Sequence, residues 1–569
     1  MKNYQDGGEA ILEAFRRLKT DYVISSPGSE WASFWEALAR QKRDETNGPK
    51  YIDCGHESIA VNMATAYTKI TGRLQAVLLH AGAGILQGSM AVDAANSMET
   101  PILIMSGEVL GYGEGAFDPG SQWYRNLSVP GGTQRLIEPM VKWTQQVASI
   151  DTLHETIVRA GEIAQRTPKG PTYLCVPMET MLEPWDRPGA PRDVPPAPKL
   201  QPFAEDIDRI AQYIAAADCP IISVENVGPS KDAFDALVEF AETISAPVVE
   251  GQAAFFGNFP KSNDLYLGQN IEPLLDKTDL ALLIESRAPW YPPSNTPKKA
   301  KIISISENPL KRHMVHQAMH AEDYLEGDVT ATLRALNAAV KRIGLDGIKI
   351  SKRRKKWREK HDAWRTNLAE KEQHGETLPK ITTPLVMKTL QEVLSTDCCV
   401  VDETIVHQTE IREHLSWDDP LTFFRAPSGL GQGLGYALGV KLALPERTVV
   451  VTIGDGSFMY NPVVPSLALS DEHELPLLIL IFNNSQYAVM KHFHKRFYPK
   501  GVAIEDNDFY GVNIKGPKYE ESAAMIGGYG QKVEDPSELR SAIETAYASV
   551  KAGKTSVLNI IMPGDGDVR

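Results

Sequence analysis

Short apolar runs alternate with helical patterns along nearly the whole chain, and this alternation restricts the fold more than any other feature. Four such runs occur in each of three successive blocks. Strands that are separated by helices predict parallel sheets covered on both faces. The predicted strands are 22–25, 76–79, 101–105 and 172–176, then 220–224, 247–250, 280–285 and 301–305, and finally 399–401, 448–453, 477–482 and 556–561.

The length of 569 residues exceeds what one hydrophobic core can organise. We therefore expect an α/β protein with three consecutive doubly wound domains, at 1–185, 203–344 and 379–569. The proline-rich stretch 183–202 cannot continue a helix or a central strand, so it is interpreted as a linker. The basic stretch 349–365 has helical spacing, which favours a solvated helix face before the third domain.

Charge and composition exclude several classes of protein. The formal net charge of −14 argues against a general nucleic-acid binder, because binding to phosphates needs clustered positive charge. The chain has no apolar run of about 18 residues that could span a membrane. Its start lacks the apolar core of a secretory signal, and none of its five cysteines forms a C-x-x-C pair. We expect a cytoplasmic protein, with Cys398 and Cys399 as buried packing residues.

Polar residues follow two neighbouring predicted strands of the third block. Asp455 follows the strand 448–453, and Asn484 follows the strand 477–482. The carboxyl ends of parallel strands meet at one edge of the sheet, where ligands bind. Oxygens of Asp455, Asn484 and the Gln486 backbone carbonyl suit Mg²⁺ and leave positions for a diphosphate. Glycines should let the backbone turn tightly and approach the anion. The predicted contacts to the anion are Gly454, Gly456, Ser457 and Asn484.

Gly-Asp-Gly alone also occurs in ordinary turns, but two further features make the pattern specific. The segment 454–484 resembles the cofactor motif of thiamine-diphosphate enzymes at both ends and in length: GDGSFMYNPVVPSLALSDEHELPLLILIFNN. The segment 56–72 resembles the pyrimidine-domain signature of the acetolactate synthase and benzoylformate decarboxylase superfamily: HES-x-A-x-x-M-A-x-x-Y-x-x-x-T-G. The similarity extends over nearly the whole chain. It implies a pyrimidine-binding, a central Rossmann-like and a diphosphate-binding domain, with thiamine diphosphate and Mg²⁺ as cofactors.

Glu57 begins a predicted helix whose buried stripe comprises Ala60, Met63, Ala64 and Tyr67. A poorly solvated carboxylate there would have a raised proton affinity. By the resemblance, Glu57 promotes the imino tautomer of the cofactor's aminopyrimidine. The alternative is an ordinary acidic residue in a first helical turn, which the helix dipole favours.

The superfamily resemblance also assigns Ser29 and His80. A histidine follows the glutamate in the benzoylformate decarboxylase branch at the interval that separates Glu57 from His80, and a serine occupies the position of Ser29. His80 would then move protons, for which a neutral imidazole near pH 7 is suited. Ser29 would bind the substrate carboxylate or carbonyl. By itself, a histidine before a glycine turn is more often structural.

Further cofactor contacts follow from the same resemblance. Leu430 would wedge the cofactor into a bent shape, and the carbonyl of Ser428 would accept from its 4′-amino group. Gln87 lies in the matched segment 80–87, and Thr404 lies where the family contacts the diphosphate. The roles of His407, His492 and His494 stay open, and the last two belong either to a lid or to a basic surface helix.

The resemblance implies cleavage or formation of a carbon–carbon bond beside a carbonyl, by a 2-oxoacid decarboxylase, a carboligase or an acetolactate-synthase-like enzyme. The turn 80–84 departs from the Ser-Gly-Pro-Gly of acetolactate synthases. Alternatives are a 2-hydroxyacyl-CoA lyase, an FAD-dependent enzyme of the pyruvate-oxidase type, and a catalytically silent subunit. Glu225 stands where nucleotide-binding relatives carry several glycines, which does not support FAD or ADP. The family also implies a homodimer or homotetramer with sites at the subunit interface, acting on 2-oxoacids, aldehydes or 2-hydroxyacyl compounds.

Overall fold

The computed structural model describes residues 5–108, 129–186, 194–317 and 320–564. These residues form three sheets of six, five and six strands, whose neighbouring strands are parallel. The predicted α/β class with three parallel sheets is thereby confirmed. Over the described ranges, no helix has both the length and the apolar character that are needed to cross a membrane.

The first sheet has the strand order β2-β1-β3-β4-β6-β5. Its strands are β1 (Tyr22–Ser26), β2 (Lys50–Asp53), β3 (Gln75–Leu79), β4 (Ile102–Glu108), β5 (Trp143–Gln146) and β6 (Thr172–Pro177). Its helices are α1 (Gly7–Arg17), α2 (Ala32–Arg43), α3 (Glu57–Thr71), α4 (Ala83–Ser97), α5 (Thr133–Ile137), α6 (Ile150–Gln165) and α7 (Met178–Leu182). Alternate strand residues such as Val23 and Leu78 form one core with α1, α2 and α6, whereas α3 contacts β1 and β3. This sheet is therefore buried as the alternation predicts.

The second sheet has the order β11-β10-β9-β7-β8. Its strands are β7 (Pro220–Val224), β8 (Val248–Glu250), β9 (Leu280–Ile284), β10 (Lys301–Ser306) and β11 (Asp323–Glu326). The helices are α8 (Ala204–Ala216), α9 (Lys231–Ile244), α10 (Glu272–Leu275), α11 (Val329–Ile343) and the long α12 (Gly347–Glu376). Trp357 of α12 belongs to the buried core of this sheet, while most other residues of the basic segment are solvated. The predicted basic helix face is confirmed.

The third sheet has the order β13-β12-β14-β15-β17-β16. Its strands are β12 (Cys398–Glu403), β13 (Phe423–Arg425), β14 (Thr448–Gly454), β15 (Leu477–Asn483), β16 (Tyr529–Val533) and β17 (Ser556–Ile561). The helices of this block are α13 (Thr383–Val393), α14 (Gln408–His414), α15 (Gly433–Ala443), α16 (Asp455–Tyr460), α17 (Val463–Glu472), α18 (Ala488–Phe497), α19 (Val502–Glu505) and α20 (Leu539–Lys551). Cys399 is buried and Cys398 half-buried, as packing residues would be.

Contacts along the chain group it into two compact units. Unit 1 comprises Met1–Pro198, Pro427–Pro445 and Pro462–Glu472, and unit 2 comprises Lys199–Ala426, Glu446–Asn461 and His473–Arg569. Two segments of the predicted third domain, which contain α15 and α17, thus group with the first sheet. The three domain boundaries stay a prediction.

Helix α15 packs closely on α3 within unit 1. A Cβ added at Gly439 would lie 2.5 Å from the backbone oxygen of Met63, and one added at Gly435 would lie 3.1 Å from Cα of Ile59. The two backbones approach so closely because neither glycine has a side chain. The predicted stripe of α3 is buried, and so is every other residue of the helix between Ser58 and Thr68.

Candidate active site

Three neighbouring strands of the first sheet bring the predicted catalytic residues to one edge. Ser29 follows β1, Glu57 follows β2 and His80 follows β3, and these strands are adjacent in the order β2-β1-β3. Backbone hydrogen bonds join the strand ends, since the amide of Cys54 donates to Ser25 (2.7 Å) and that of His80 donates to Ser26 (3.1 Å). The sheet topology therefore collects residues that are distant in sequence.

Glu57 is half-buried as the first residue of α3. The preceding His56 caps this helix, because its Nδ1 accepts from the Ser58 amide at 3.2 Å. The side-chain amide of Gln87 lies 2.8 Å from Nε2 of His56. A Cβ added at Gly88 of α4 would lie 3.4 Å from Cβ of Glu57. The start of α3 and the first turns of α4 are therefore in direct contact, with Gln87 bound to His56.

His80 is bound by a carboxylate that the sequence analysis did not identify. Both oxygens of Glu30 lie 2.9 Å from Nδ1 of His80. The hydrogen bond to Glu30 raises the pKa of His80 above its usual value, although burial acts in the opposite direction, and the negative charge of Glu57 adds to the increase. The two carboxylates therefore favour the charged form of His80, whereas burial favours the neutral form. The only signal in the sequence is an acidic residue directly after Ser29.

The turn that contains Ser428 and Leu430 also belongs to unit 1. Gly429 has a φ of +91°, which favours glycine, and a Cβ there would lie 3.1 Å from Sδ of Met90 in α4. The amide of Gln432 donates to the Ser428 carbonyl. Ser428 is exposed and Leu430 is half-buried. The turn is therefore close to α4, while the carbonyl predicted to bind the 4′-amino group already accepts an internal hydrogen bond.

In unit 2, the third sheet collects the predicted metal and diphosphate residues in the same way. Thr404, Asp455 and Asn484 follow the carboxyl ends of β12, β14 and β15, which are adjacent strands. Burial raises the pKa of Asp455 to about 6, while backbone hydrogen bonds from Gly456, Asp455 itself and Ser485 oppose the rise. The contact with the Ser485 amide shows that the two loops meet, as the strand pattern predicts.

Two buried oxygens at these loops have unused hydrogen-bonding capacity. Within the described residues, Oδ2 of Asp455 and Oε1 of Gln486 have no hydrogen-bond partner. The side chain of Asn484 accepts from the Gln486 amide at 3.1 Å. The described chain contains no group of three or more His, Cys, Asp and Glu residues that could hold a metal. A cation here would rely on one carboxylate, amide and backbone oxygens and a diphosphate, and this donor set fits Mg²⁺.

The role predicted for the two glycines needs correction. Gly454 has φ −71° and ψ 152°, an extended conformation that any residue can adopt, and Gly456 lies inside α16. Neither glycine is therefore needed for the turn itself. A Cβ added at Gly456 would lie 2.5 Å from Cε1 of Tyr487, whereas the nearest atom to a Cβ at Gly454 is Oγ of Ser457 at 3.7 Å. Gly456 is required because the Tyr487 ring covers it. Ser457 is buried beside it.

Two further residues after β12 have internal partners. The hydroxyl of Thr404 donates to Asp402 at 2.8 Å, so this predicted diphosphate contact is already oriented. Nδ1 of His407 lies 2.9 Å from the Thr383 hydroxyl, and its ring packs on Phe482 at 5.4 Å. Burial lowers the pKa of His407 to about 4. His407 is consequently a neutral packing residue near pH 7.

Helix α18 has a basic and aromatic surface. His494 packs on Tyr498 and on Phe509, with ring centroids 5.6 Å and 5.4 Å apart. His492 is exposed on the same helix, together with Phe493 and Phe497. These contacts are compatible with a surface helix and assign no chemistry to either histidine.

Comparisons with known proteins agree with this arrangement. Family models match the N-terminal binding domain of thiamine pyrophosphate enzymes at residues 5–124, their central domain at 207–336 and their C-terminal binding domain at 406–560. The acetolactate synthase large subunit of Mycobacterium tuberculosis is 27% identical over 572 residues, which cover 96% of this chain and 94% of that protein. The benzoylformate decarboxylase of Pseudomonas aeruginosa is 25% identical, with 95% and 96% covered.

The fold is similar to that of a solved structure over the whole length. The benzoylformate decarboxylase of Polynucleobacter necessarius superimposes with a TM-score of 0.78 at 19% identity, and the match covers 99% of both chains. The three family models together span most of the chain. The chain therefore belongs to the thiamine pyrophosphate enzymes of the acetolactate synthase and benzoylformate decarboxylase superfamily.

Proposed function

We propose that this protein uses thiamine diphosphate and Mg²⁺ to cleave or form a carbon–carbon bond beside a carbonyl, as a 2-oxoacid decarboxylase or carboligase. The observation that carries this proposal is the placement of Glu57, Ser29 and His80 at one edge of the first sheet. A protein that only bound the cofactor would not need a proton-transferring histidine at that edge. The related enzymes include both an acetolactate synthase and a benzoylformate decarboxylase.

Each residue has a distinct task in this proposal. The bound cofactor supplies the electron sink that C–C bond chemistry beside a carbonyl requires. Asp455, Asn484 and Gln486 would hold the metal, and Glu57 would hold a proton at the pyrimidine N1′. The hydroxyl of Ser29 orients the substrate by a hydrogen bond to its carboxylate or carbonyl oxygen. His80 moves protons to and from the reacting atoms, a role for which histidine is suited near neutral pH.

The central sheet disfavours the FAD-dependent alternative. In open α/β sheets a nucleotide binds at the carboxyl ends of the strands, where free backbone amides contact phosphates. Here Glu225, at the end of β7, accepts from the backbone amides of Arg287 and Ala288, both at 3.0 Å. Asn258 accepts from the amides of Val227 (2.7 Å) and Gly228 (3.0 Å). Because the protein's own side chains bind these amides, a nucleotide phosphate would have to displace a buried carboxylate.

The proposal is tested by following a panel of 2-oxoacids, aldehydes and 2-hydroxyacyl-CoA compounds by mass spectrometry, with and without Mg²⁺ and thiamine diphosphate. Turnover of a 2-oxoacid that needs both cofactors is expected, and its products distinguish decarboxylation from ligation. Cleavage of 2-hydroxyacyl-CoA alone would instead favour the lyase alternative, since a zebrafish relative with that name is 24% identical to this chain. Tight cofactor binding without any turnover would indicate a silent subunit.

Two variants test the assigned residues. Glu57→Gln should retain Mg²⁺-dependent cofactor binding, measured by calorimetry, and lose turnover by about 10²-fold or more. His80→Asn should leave cofactor binding intact and lower kcat. His154→Gln is the matched control, since His154 is a buried histidine that stacks on Trp185 in the same unit. Unchanged turnover in Glu57→Gln would contradict the assignment of the activating carboxylate.

We also propose a homo-oligomer, at least a dimer, in which each site combines residues of two protomers, and a cytoplasmic location. Support comes from the family resemblance, which implies that the pyrimidine and diphosphate half-sites belong to different protomers. Mixed refolding of Glu57→Gln with Asp455→Ala tests this arrangement. Hybrid dimers would then contain one intact site, and activity should recover to roughly a quarter of the wild-type value. No recovery in verified hybrids would show that each site is built by one chain.

A further inference from the structure

Glu30 is the most deeply buried carboxylate at the edge that carries Ser29 and His80. It lies in the 3-10 helix Ser29–Trp31 directly after β1, and its side chain has 0% exposure. Its two oxygens lie 2.9 Å from Nδ1 of His80. One of them also accepts from the Ala81 amide at 2.6 Å. A buried carboxylate is expensive unless such partners satisfy it, so this pair is a built feature of the fold.

Two glycines leave the space that the pair occupies. A Cβ added at Gly28 would lie 1.7 Å from Nδ1 of His80 and 2.2 Å from Oε2 of Glu30. A Cβ added at Gly107, in β4, would lie 2.1 Å from Cγ of Glu30. Any larger residue at either position would displace the carboxylate from the imidazole. The strands β1 and β4 thus shape a slot for the Glu30 side chain.

We propose that Glu30 is a positioning residue for His80, which holds the Nδ1 proton so that Nε2 is the ring atom that exchanges protons with the substrate. This inference rests on the proposed function and extends it. An imidazole has two neutral tautomers, and a carboxylate that accepts from Nδ1–H selects one of them. A carboxylate behind a catalytic histidine orients the ring in the same way in the Ser-His-Asp triad.

The proton balance is simple. In the charged form of His80, Nδ1–H donates to Glu30 and Nε2–H faces away from it. When Nε2 gives its proton to the reacting atom, the Nδ1 proton stays on the ring, and His80 becomes the neutral tautomer. Glu30 does not exchange its own proton in this step, and it continues to accept from Nδ1–H and from the Ala81 amide. The return of a proton to Nε2 restores the starting state.

The charged groups around His80 are acidic. Glu30 acts on it through the hydrogen bond and through its charge, and Glu57 acts through its charge. The first and last turns of α4 contain no acidic or basic residue. One further buried carboxylate, Glu108, lies at the end of β4. Glu30 and Glu57 both favour protonated His80, and Glu30 acts most strongly through its hydrogen bond, so loss of the Glu30 charge alone should weaken the proton affinity of the ring.

The test is an NMR titration of histidine ring signals, with the His80 signal assigned by its loss in His80→Asn. Glu30→Gln keeps the size of the side chain and removes the charge, and it should lower the pKa of His80. The acidic limb of the kcat profile should shift to lower pH in parallel, with a loss in kcat of at least about tenfold and little change in KM. Glu30→Asp restores the charge and should recover part of both effects.

Glu13→Gln is the matched control, because Glu13 is also buried in unit 1 but its carboxylate binds Arg17 (2.6 Å) and Arg16 (3.3 Å) instead. It should leave the His80 titration unchanged. A folded Glu30→Gln protein with an unchanged His80 pKa would overturn the proposal. If that variant does not fold, the ring nitrogen shifts of the wild-type protein decide, since a neutral His80 with its proton on Nε2 would also overturn it. Both NMR readouts are independent of turnover, so they separate this inference from the proposed reaction.

Discussion

Asp455 allows a quantitative test of the candidate metal site, by the substitution Asp455→Asn. The side chain is 3% exposed, and burial raises its pKa from 3.8 to about 6 in the metal-free protein. A raised carboxyl pKa means that folding favours the protonated form. The stability that the protonated carboxyl contributes is fully present below about pH 3.8, and it is lost as the pH rises through about 6.

The size of the effect follows from the pKa shift. Each pKa unit corresponds to about 1.4 kcal/mol, so above pH 6 the ionised carboxylate destabilises the metal-free fold by up to about 3 kcal/mol. Asparagine has nearly the same shape and no charge. In EDTA near pH 8, the variant should therefore unfold at a higher temperature than the wild-type protein. Below about pH 4 this advantage should disappear.

Adding Mg²⁺ and thiamine diphosphate should reverse the order of the two proteins. The wild-type protein binds both and is stabilised by mass action, whereas the variant lacks the carboxylate ligand. Differential scanning fluorimetry across pH, with and without the ligands, measures both effects. Asp264→Asn is the control, since Asp264 is a half-buried carboxyl of the same unit that binds Arg354 and Arg358 instead, and it should keep the response to Mg²⁺. Equal ligand stabilisation of wild type and Asp455→Asn would refute the metal assignment.

Two other predictions concern the same unit. Gly456→Ala would place Cβ 2.5 Å from the Tyr487 ring, so we expect about 1–3 kcal/mol of destabilisation and weaker cofactor binding in calorimetry. Gly454→Ala, where the nearest atom is 3.7 Å away, should be tolerated, and equal damage in both variants would disprove the steric explanation. The pKa of His407 is lowered from 6.5 to about 4, so its contribution to stability is complete above about pH 6.5 and is lost as the pH falls through 4. Between pH 6.5 and 4 the free energy of unfolding of the wild-type protein should fall by up to about 3 kcal/mol more than that of His407→Gln. Thermal melts across this pH range measure the difference, and the same pH dependence in both proteins would contradict the prediction.

The strands that the sequence did not reveal share one property. All five missed strands are outer strands of their sheets: β2, β5, β11, β13 and β16. Four of them are partly exposed along most of their length, namely β2, β5, β11 and β16. Central strands of parallel sheets are buried on both faces and read as apolar runs, whereas an outer strand needs fewer apolar residues. β13 has only three residues, which is too short for a recognisable pattern. Apolar runs therefore predict the centre of each sheet better than its borders.

Glu30 illustrates a second limit. Its sequence context is one acidic residue after a serine, which is equally compatible with an exposed helix start. The tertiary structure turns that side chain inward to Nδ1 of His80, 50 positions later in the chain. A hydrogen bond of this kind depends on the adjacency of β1 and β3 and on the space at Gly28. Composition and spacing contain no information about it.

The sequence by itself determined the class of fold, the central strands and the position of Asp455 and Asn484 after two adjacent strands, because hydrophobic periodicity and motif spacing are local properties of the chain. It also determined the candidate residues Glu57 and His80 through their motif. Only the tertiary structure decided that Glu30 binds His80, that Gly456 makes room for a tyrosine ring and that Asp455 has a raised pKa. These properties depend on burial and on contacts between strand ends that are distant in sequence, and such contacts exist only once the sheets have formed.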